Sequence, residues 1–160
     1  MAEVTVPGFL VAFRTQLLTR SALAGVPVYL VDRGSWRDPE AIVLSRVTMT
    51  GATWLGWGAG PASHATVEPL TLAGYVFARV PGSDATGDRT ALERVGVLLG
   101  EIAQQLRDDP TVGGDLSPTA RYRPPIMDQA VWGAWPGDEG GTAIIRVRVD
   151  FRVAWQAISP

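Results

Sequence analysis

The chain has 160 residues, of which 46% are hydrophobic and 19% are charged, and its formal net charge is −2. This composition is typical of one folded domain spanning residues 1–160 and excludes an intrinsically disordered chain. The near-neutral charge gives no electrostatic basis for nucleic acid or an anionic membrane as the main ligand. The absence of cysteine and lysine excludes thiolate metal sites, a Walker A loop and Schiff-base chemistry.

Nothing in the sequence predicts a membrane segment or a secretion signal. No apolar run reaches the roughly 20 residues that span a bilayer. The first ten residues, MAEVTVPGFL, contain Glu3 and no basic residue before their apolar part, unlike a signal peptide. We therefore expect a chain that is made in a cytoplasm and has no membrane partner.

The first half of the chain is predicted to form one helix and three strands. The helix covers Phe9–Leu23, where apolar residues recur at steps of three and four. β-rich runs predict strands at Val26–Asp32, Ile42–Thr50 and Val67–Val80. The glycine-rich stretch GATWLGWGAGPASH between the last two is predicted to be a strand end and an exposed loop.

A second, longer helix is predicted from about Asp88 to Arg107. Its apolar residues recur with helical spacing and are expected on one buried stripe: Leu92, Val95, Leu99, Ile102 and Leu106. Four residues are plausible N-caps: Ser83, Asp84, Thr86 and Asp88. Gly96 and Gly100 predict close packing of a neighbouring element, because a glycine inside a helix costs about 1 kcal/mol relative to alanine.

The last third of the chain is predicted to form a short strand, Ile126–Trp135, and a long closing strand, Ala143–Gln156. The closing strand alternates strictly, with one apolar face: Ile145, Val147, Val149, Phe151, Val153 and Trp155. The order of elements shows no regular βαβ alternation. We therefore predict an α+β fold, in which a mostly antiparallel sheet of about four to five strands packs against two helices and ends with the long C-terminal strand.

The predicted closing strand is long for a domain of this size. At about 3.3 Å per residue it would span about 45 Å, whereas a compact domain of this length has a diameter of about 40 Å. An edge of this length pairs with another chain unless it is blocked. We therefore expect a homo-oligomer that uses this strand.

The acidic stretch LRDDPTVGGD raises the question of a metal site. Asp108, Asp109 and Asp115 could supply oxygen ligands, but they lack the alternate spacing of a calcium loop. Pro110 forbids continuation of the helix, and the glycine pair Gly113-Gly114 suits turn positions with positive φ. We predict a helix end here and no metal.

Two other stretches contain residue types that are found in enzymes. The glycines of Gly56–Ser63 do not fit G-x-G-x-x-G, and no helix is predicted to follow them. Ser63, His64 and Glu68 supply the residue types of a catalytic triad but lack the nucleophile-elbow motif. We predict no catalytic residue and no cofactor, and hence a protein that is not an enzyme.

Aromatic and arginine side chains are the candidate interaction residues. Trp54 and Trp57, and likewise Trp132 and Trp135, form two W-x-x-W pairs in glycine-rich surroundings. Exposed on turns, such pairs can anchor a protein partner or stack on sugars, and core or sheet-edge packing explains them equally well. Few amide or acidic residues lie nearby to bond sugar hydroxyls, so an interface role is favoured over sugar binding.

The polar face of the closing strand carries a row of arginines. Arg146, Arg148 and Arg152, with Asp150 among them, alternate with the apolar residues. A row of this kind is usually a solvated sheet face. It could also bind the carboxylates of a partner through bidentate hydrogen bonds, so an interface role is a second interpretation.

The end of the long helix carries a motif that resembles a known family. The stretch LRDDPTVGGDL resembles the tail terminator (tail completion) proteins of long-tailed phages, in which an A/R-rich helix runs into a D-P-T-[LV]-G-G turn. The matching residues are Asp109, Pro110, Thr111, Gly113 and Gly114. The layout is also similar over most of the chain, from an N-terminal helix and the early strand VPVYLVD to the long helix and the final strand.

The resemblance implies an α+β subunit that assembles as a homohexameric ring of the virion, built in the host cytoplasm. The ring would lie at the head-proximal end of a non-contractile tail and end polymerisation of the tail tube protein. It would contact head-completion or connector proteins, while DNA passes through its lumen without specific binding. No catalytic residue or cofactor carries over, because the family has none.

Two alternatives to the terminator remain. One is another head–tail connector or minor tail ring protein. The other belongs to a different class, a carbohydrate or small-ligand binding module that uses the tryptophan pairs. If the chain forms a ring, its interface must be head-to-tail. We expect the first helix or the closing strand to supply one side and the Trp-rich loops the other.

Overall fold

A six-stranded sheet carries two helices on one face. The computed structural model describes residues 6–32, 38–50, 53–54, 66–82, 84–112 and 123–159, with side chains except at 6–7, 49, 53–54, 66–68, 123–124 and 157–159. The helices in these ranges are α1 (Val6–Leu18) and α2 (Ala85–Asp108). The strands are β1 (Val28–Tyr29), β2 (Glu40–Met49), β3 (Thr53–Trp54), β4 (Thr66–Pro81), β5 (Arg123–Glu139) and β6 (Thr142–Ser159).

The strand order confirms the predicted α+β class. Five strands follow one another in the order β1-β2-β4-β6-β5, and the two-residue β3 pairs with β4. The pairing of β1 with β2 is parallel, whereas the other pairings are antiparallel. The sheet is therefore mostly antiparallel, with two helices and a long C-terminal strand, as the sequence predicts.

The first helix ends earlier than predicted. α1 stops at Leu18, and Ser21–Leu23 form a separate 3₁₀ turn. Arg20 lies between them in an extended conformation, with φ −76° and ψ 125°. Its guanidinium forms ion pairs with Glu101 and Asp108 of α2. The contact between the two helices thus fixes the chain at the point where the predicted helix would have continued.

The main core lies between the helices and one face of the sheet, which we call the helix face. Alternate residues of β6 face this core, as predicted: Ile145, Val147, Val149, Phe151, Val153 and Trp155. From α2 the core receives Ala91, Val95, Leu98, Ile102 and Leu106. The predicted stripe of α2 is therefore partly wrong. Leu92 is 43% exposed and Leu99 is only half-buried, because α2 lies over β4 and β6 and turns Leu92 towards the margin of the sheet.

The opposite side of the sheet, which we call the arginine face, has a smaller buried cluster. Ala41 and Val43 of β2 pack there with Tyr75 and Phe77 of β4, and Tyr29 contacts them from β1. Farther along the sheet, the same face carries the even-numbered side chains of β6, including the predicted arginine row. Both faces of the central strands are therefore partly buried.

The strands β5 and β6 form a long hairpin that corrects the prediction for the closing strand. Gly140 and Gly141 turn the chain with φ values of 61° and 83°, which glycine adopts without steric cost. β6 pairs with β4 along one side and with β5 along the other. The prediction that β6 offers its edge to another chain is therefore wrong, because β5 is the outer strand.

Candidate interaction surfaces

The predicted arginine row lies on the arginine face and is bound within the chain. Arg152 donates to Asp128 of β5 through Nε and Nη2, at 2.9 and 2.8 Å. Arg148 donates to Asp150 on its own strand, and its Nη2 lies 2.6 Å from Oδ1. The bidentate contacts that a partner's carboxylates would make are thus already made by this chain.

The third arginine of the row shares a carboxylate with β4. Glu139, at the end of β5, accepts from Nη1 of Arg79 at 2.7 Å and from Nη2 of Arg146 at 3.2 Å. These two contacts link β4, β5 and β6 at the hairpin end of the sheet. The row therefore stabilises the arrangement of the strands.

These ion pairs change the titration of the carboxyl groups. Hydrogen bonds from Arg152 hold the pKa of Asp128 below its ordinary value. Hydrogen bonds from Arg146 and Arg79 lower the pKa of Glu139 in the same way. Both carboxyl groups therefore keep their negative charge at lower pH than a free side chain does.

Arg148 also covers a buried tyrosine. Its guanidinium carbon lies 3.8 Å from the ring centroid of Tyr75, a distance that favours a cation–π contact. Burial, together with a hydrogen bond to Asp32, raises the pKa of the Tyr75 hydroxyl. Arg148 is thus part of the packing of this face.

The second tryptophan pair does not form one platform. Trp132 and Trp135 are 49% and 38% exposed, but residues three apart on a strand point to opposite faces. Trp132 lies on the helix face, 4.0 Å from the position of a Cβ on Gly96, and Trp135 lies beside Gly133 on the arginine face. The structure therefore separates the two rings that a sugar-stacking pair would need together.

Several predicted residues lie outside the described part of the chain. Trp57, Gly113 and Gly114 are among them, as is the Ser63–His64 pair. Trp54 is placed by its backbone in β3, opposite Thr66 of β4, and its side chain is not described.

The outer strand β5 presents a surface that sequence reasoning missed. Its exposed large apolar side chains are Ile126, Val131, Trp132 and Trp135. The stretch QAVWGAWPG, residues 129–137, has no charged residue, although a charge is a common protection of an edge strand. That uncharged run was the available signal, but its prolines and glycines resemble the composition of a turn.

An open groove adjoins β5 on the helix face. Its volume is about 430 Å³, and it lies between Asp88 and Leu92 of α2 and the strand residues Ala134, Pro136 and Val147. The groove exists because α2 lies mainly over β4 and β6 and makes fewer contacts with β5, one of them between Gly96 and Trp132. It can therefore accept a bulky side chain at the margin of the sheet.

The motif turn after α2 binds to its own chain. Asp109 accepts a hydrogen bond from Nε2 of Gln16 in α1 at 2.6 Å and from the backbone N–H of Thr111 at 2.9 Å. Gly113-Gly114, where positive φ is predicted, lie outside the described residues, and Val112 just before them has a φ of 51° and a fully buried side chain. The turn therefore fastens the end of α2 to α1.

No protein-family model and no curated protein matches this chain. The resemblance to tail terminators thus rests on the turn motif and on the order of elements. Within the described ranges, no helix is long and apolar enough to cross a membrane. In the same ranges, no three histidine, aspartate or glutamate side chains are grouped in a way that could hold a metal ion.

Proposed function

We propose that the chain is a structural subunit of a ring at the head-proximal end of a long, non-contractile phage tail. In the virion, the ring ends polymerisation of the tail tube and joins the tail to head-completion proteins. The observation that carries the proposal is the D-P-T-V-G-G motif at the end of the 24-residue helix α2, in an α+β chain that closes with a long strand.

The role of the turn in the fold supports this reading of the motif. Asp109 receives hydrogen bonds from α1 and from Thr111, and Val112 fills the core. In this chain, Asp109 of the motif connects the end of α2 to α1, which is a physical reason for a residue of this kind at this place.

The ring interface is assigned to α1 on one side and to the segment around β3 on the other. A ring needs a head-to-tail contact that closes, and β6 has no free edge to supply one. Val11 and Leu18 lie on one exposed face of α1, seven residues apart. The Trp-rich segment that includes Trp54 is the expected other side of the contact.

The lumen is proposed to let DNA slide. The arginines of β6 are neutralised by carboxylates of β5 and β6, and the net charge of the chain is −2. Unpaired cations facing the phosphates would add affinity for each contact. Paired arginines add little, which suits passage without specific binding.

Mass photometry and negative-stain imaging of the purified protein test the proposal. We expect particles of six subunits with a central opening. The double variant Val11→Glu/Leu18→Glu should lose the ring and keep its circular dichroism spectrum, because both residues are exposed. Val97→Glu, an exposed apolar position on α2, is the matched control and should leave the ring intact. Arg148→Glu is a poorer test, because Arg148 covers Tyr75.

The alternatives give different results. A ring that leaves the length of tubes formed by the tail tube protein of the same genome unchanged is another connector ring, and the terminator role is then wrong. A chain that stays monomeric with its tube protein, and whose tryptophan fluorescence is quenched by sugars, is a binding module, and the proposal fails entirely.

A further inference from the structure

The outer edge of β5 carries backbone groups that no described residue binds. The N–H of Arg79 donates to the carbonyl of Pro39, and the carbonyl of Pro69 accepts from the N–H of Thr50. The backbone N–H and carbonyl groups of odd-numbered residues in β4 are therefore directed towards β2. By the same alternation, the backbone groups of even-numbered residues in β6 are directed towards β5, and those of odd-numbered residues in β5 are directed towards β6. The residues of β5 whose backbone groups face outward are therefore Ala130, Trp132, Ala134 and Pro136, followed by Asp138.

Pro136 agrees with this assignment, because a proline in a sheet belongs where its missing N–H would face away from the ladder. Ala130, Trp132 and Ala134 each present both an N–H and a carbonyl along the free edge. The hydrogen-bonding groups of such a row are satisfied when another strand pairs with it.

We propose that Ala130–Pro136 of β5 pairs in antiparallel fashion with the same segment of a second copy of this chain, with Gly133 on the two-fold axis. In this register Trp132 of one copy lies opposite Ala134 of the other, and Val131 lies opposite Trp135. Each large ring thus meets a smaller side chain, and aromatic–β-branched pairs stabilise strand pairing.

The helix face of β5 has room for the second copy. In the paired arrangement the two α2 helices lie on the same side of a continuous sheet, separated by the uncovered parts of both β5 strands. The groove beside Ala134, about 430 Å³, then lies next to Trp132 of the second copy. The indole of Trp132, which contacts the Gly96 region of its own α2, has room to turn into that groove when the two copies pair.

In this register Asp138 of one copy comes opposite Asp128 of the other at each end of the segment, so the pairing is limited to the uncharged residues between them. Residues 129–137 are uncharged, so no like charges face each other within it. A register shift between Met127 and Gln129 ends the regular edge before Asp128, whose carboxylate is held by Arg152. At the other end, Asp138 accepts from the backbone N–H of Gly141 at 2.9 Å.

This contact goes beyond the proposed ring and does not depend on it. An isologous contact closes at two copies, whereas the ring needs a head-to-tail contact. The two ideas therefore use different surfaces, β5 here and α1 with the β3 segment in the ring.

Disulfide formation by Gly133→Cys tests the register directly, because the chain has no cysteine. A Cβ at this position would lie 3.7 Å from Trp135 and 3.9 Å from the carbonyl of Arg148, which are ordinary contacts. The two cysteines would lie opposite each other across the axis, about 4.5–5.5 Å apart between Cβ atoms. We expect dimers to form about tenfold faster, or more, than in the control Gly100→Cys. Gly100 lies on α2 with no atom near its Cβ position.

Proline substitution tests whether the backbone makes the contact. Ala134→Pro removes an outward N–H and leaves the bonds to β6 in place, so the variant should keep its fold and lose concentration-dependent dimers in sedimentation velocity. Val131→Pro, whose N–H points to β6, should instead lower the stability of the monomer. If Ala134→Pro unfolds, the dimerisation rates of Gly133→Cys and Gly100→Cys decide whether β5 makes the contact.

Two results overturn the inference: equal rates for Gly133→Cys and Gly100→Cys, or a folded Ala134→Pro that associates like the original chain. A six-subunit ring without Gly133→Cys dimers leaves the proposed function standing and sinks this contact. Gly133→Cys dimers without any ring support this contact and contradict the proposed ring.

Discussion

Gly74 is the position in the sheet where a side chain has no room. A Cβ there would lie 2.6 Å from Cζ of Phe151 and 2.6 Å from the carbonyl oxygen of Val43. The phenyl ring can turn aside, but the backbone oxygen is held in the pairing of β2 with β4. We expect Gly74→Ala to lower the free energy of unfolding by about 2 to 3 kcal/mol, measured by urea denaturation.

Gly100→Ala is the matched control and should have the opposite sign. Gly100 is exposed on α2, and no atom lies within 4 Å of its Cβ position. Alanine inside a helix is about 1 kcal/mol better than glycine, so the free energy of unfolding should rise. Equal effects of the two substitutions would contradict the packing described around Gly74.

Val112 combines full burial with a backbone conformation that disfavours it. Its φ is 51°, and a non-glycine residue there costs about 1–2 kcal/mol. Val112→Ala should lower the free energy of unfolding by about 1 to 3 kcal/mol, because buried methyl groups are lost. Val112→Gly should be no less stable than Val112→Ala, since glycine relieves the strain. If urea denaturation shows glycine to be worse by about 1 kcal/mol, as at an ordinary position, the strain is absent.

At the scale of elements, the amphipathic pattern predicted which strand face is buried but not which neighbours the strand has. The alternation of β6 placed Val147 and Phe151 correctly in the core. An alternating strand looks the same whether it is central or at an edge, so the pattern alone does not reveal that β6 is a central strand. The outer strand β5 was predicted too short, because Pro124, Pro125 and Pro136 resemble turn residues although an edge strand tolerates them.

The contacts of the predicted interaction residues could not be read from the sequence for a similar reason. The row Arg146–Arg152 was predicted on one face, but its partners Asp128 and Glu139 come from another strand, 24 and 7 residues away. Charge pairing between strands depends on register, and the sequence pattern does not contain the register. The two members of a W-x-x-W pair are separated by strand geometry, which the motif alone does not specify.

The start of α2 gives a prediction about capping. Four N-caps were plausible from the sequence, and the structure selects Asp84, whose side chain accepts from the backbone N–H of Gly87 at 2.9 Å. Asp84→Ala should lower the free energy of unfolding by about 1 kcal/mol. Asp88→Ala, in the first turn, should cost only a few tenths through the helix dipole. Thermal denaturation of both variants checks this, and a larger loss for Asp88→Ala would reject the assigned cap.

At the scale of the whole molecule, the two sides of the sheet are held together differently. The helix face is stabilised by buried apolar contacts from both helices. Much of the arginine face is stabilised by ion pairs between β4, β5 and β6, which are partly exposed. Exposed pairs contribute little singly and are screened by salt. Acid should therefore weaken the hairpin side of the molecule before it affects the core.

The ion pair of Asp128 allows the contribution of the hairpin side to stability to be tested by changing the pH. Its hydrogen bonds with Arg152 lower its pKa in the folded chain, so the folded state binds fewer protons than the unfolded state near the ordinary pKa of about 3.9. Its contribution is therefore complete above that value and is lost as pH falls through the lowered folded pKa. Asp128→Asn should have a lower urea midpoint than the original chain at pH 7, and the gap should close in acid. Arg152→Gln should show the same closing gap, and 1 M salt should narrow it at neutral pH. A gap that stays constant from neutral to acid pH would mean that the ion pair between β5 and β6 contributes nothing to stability.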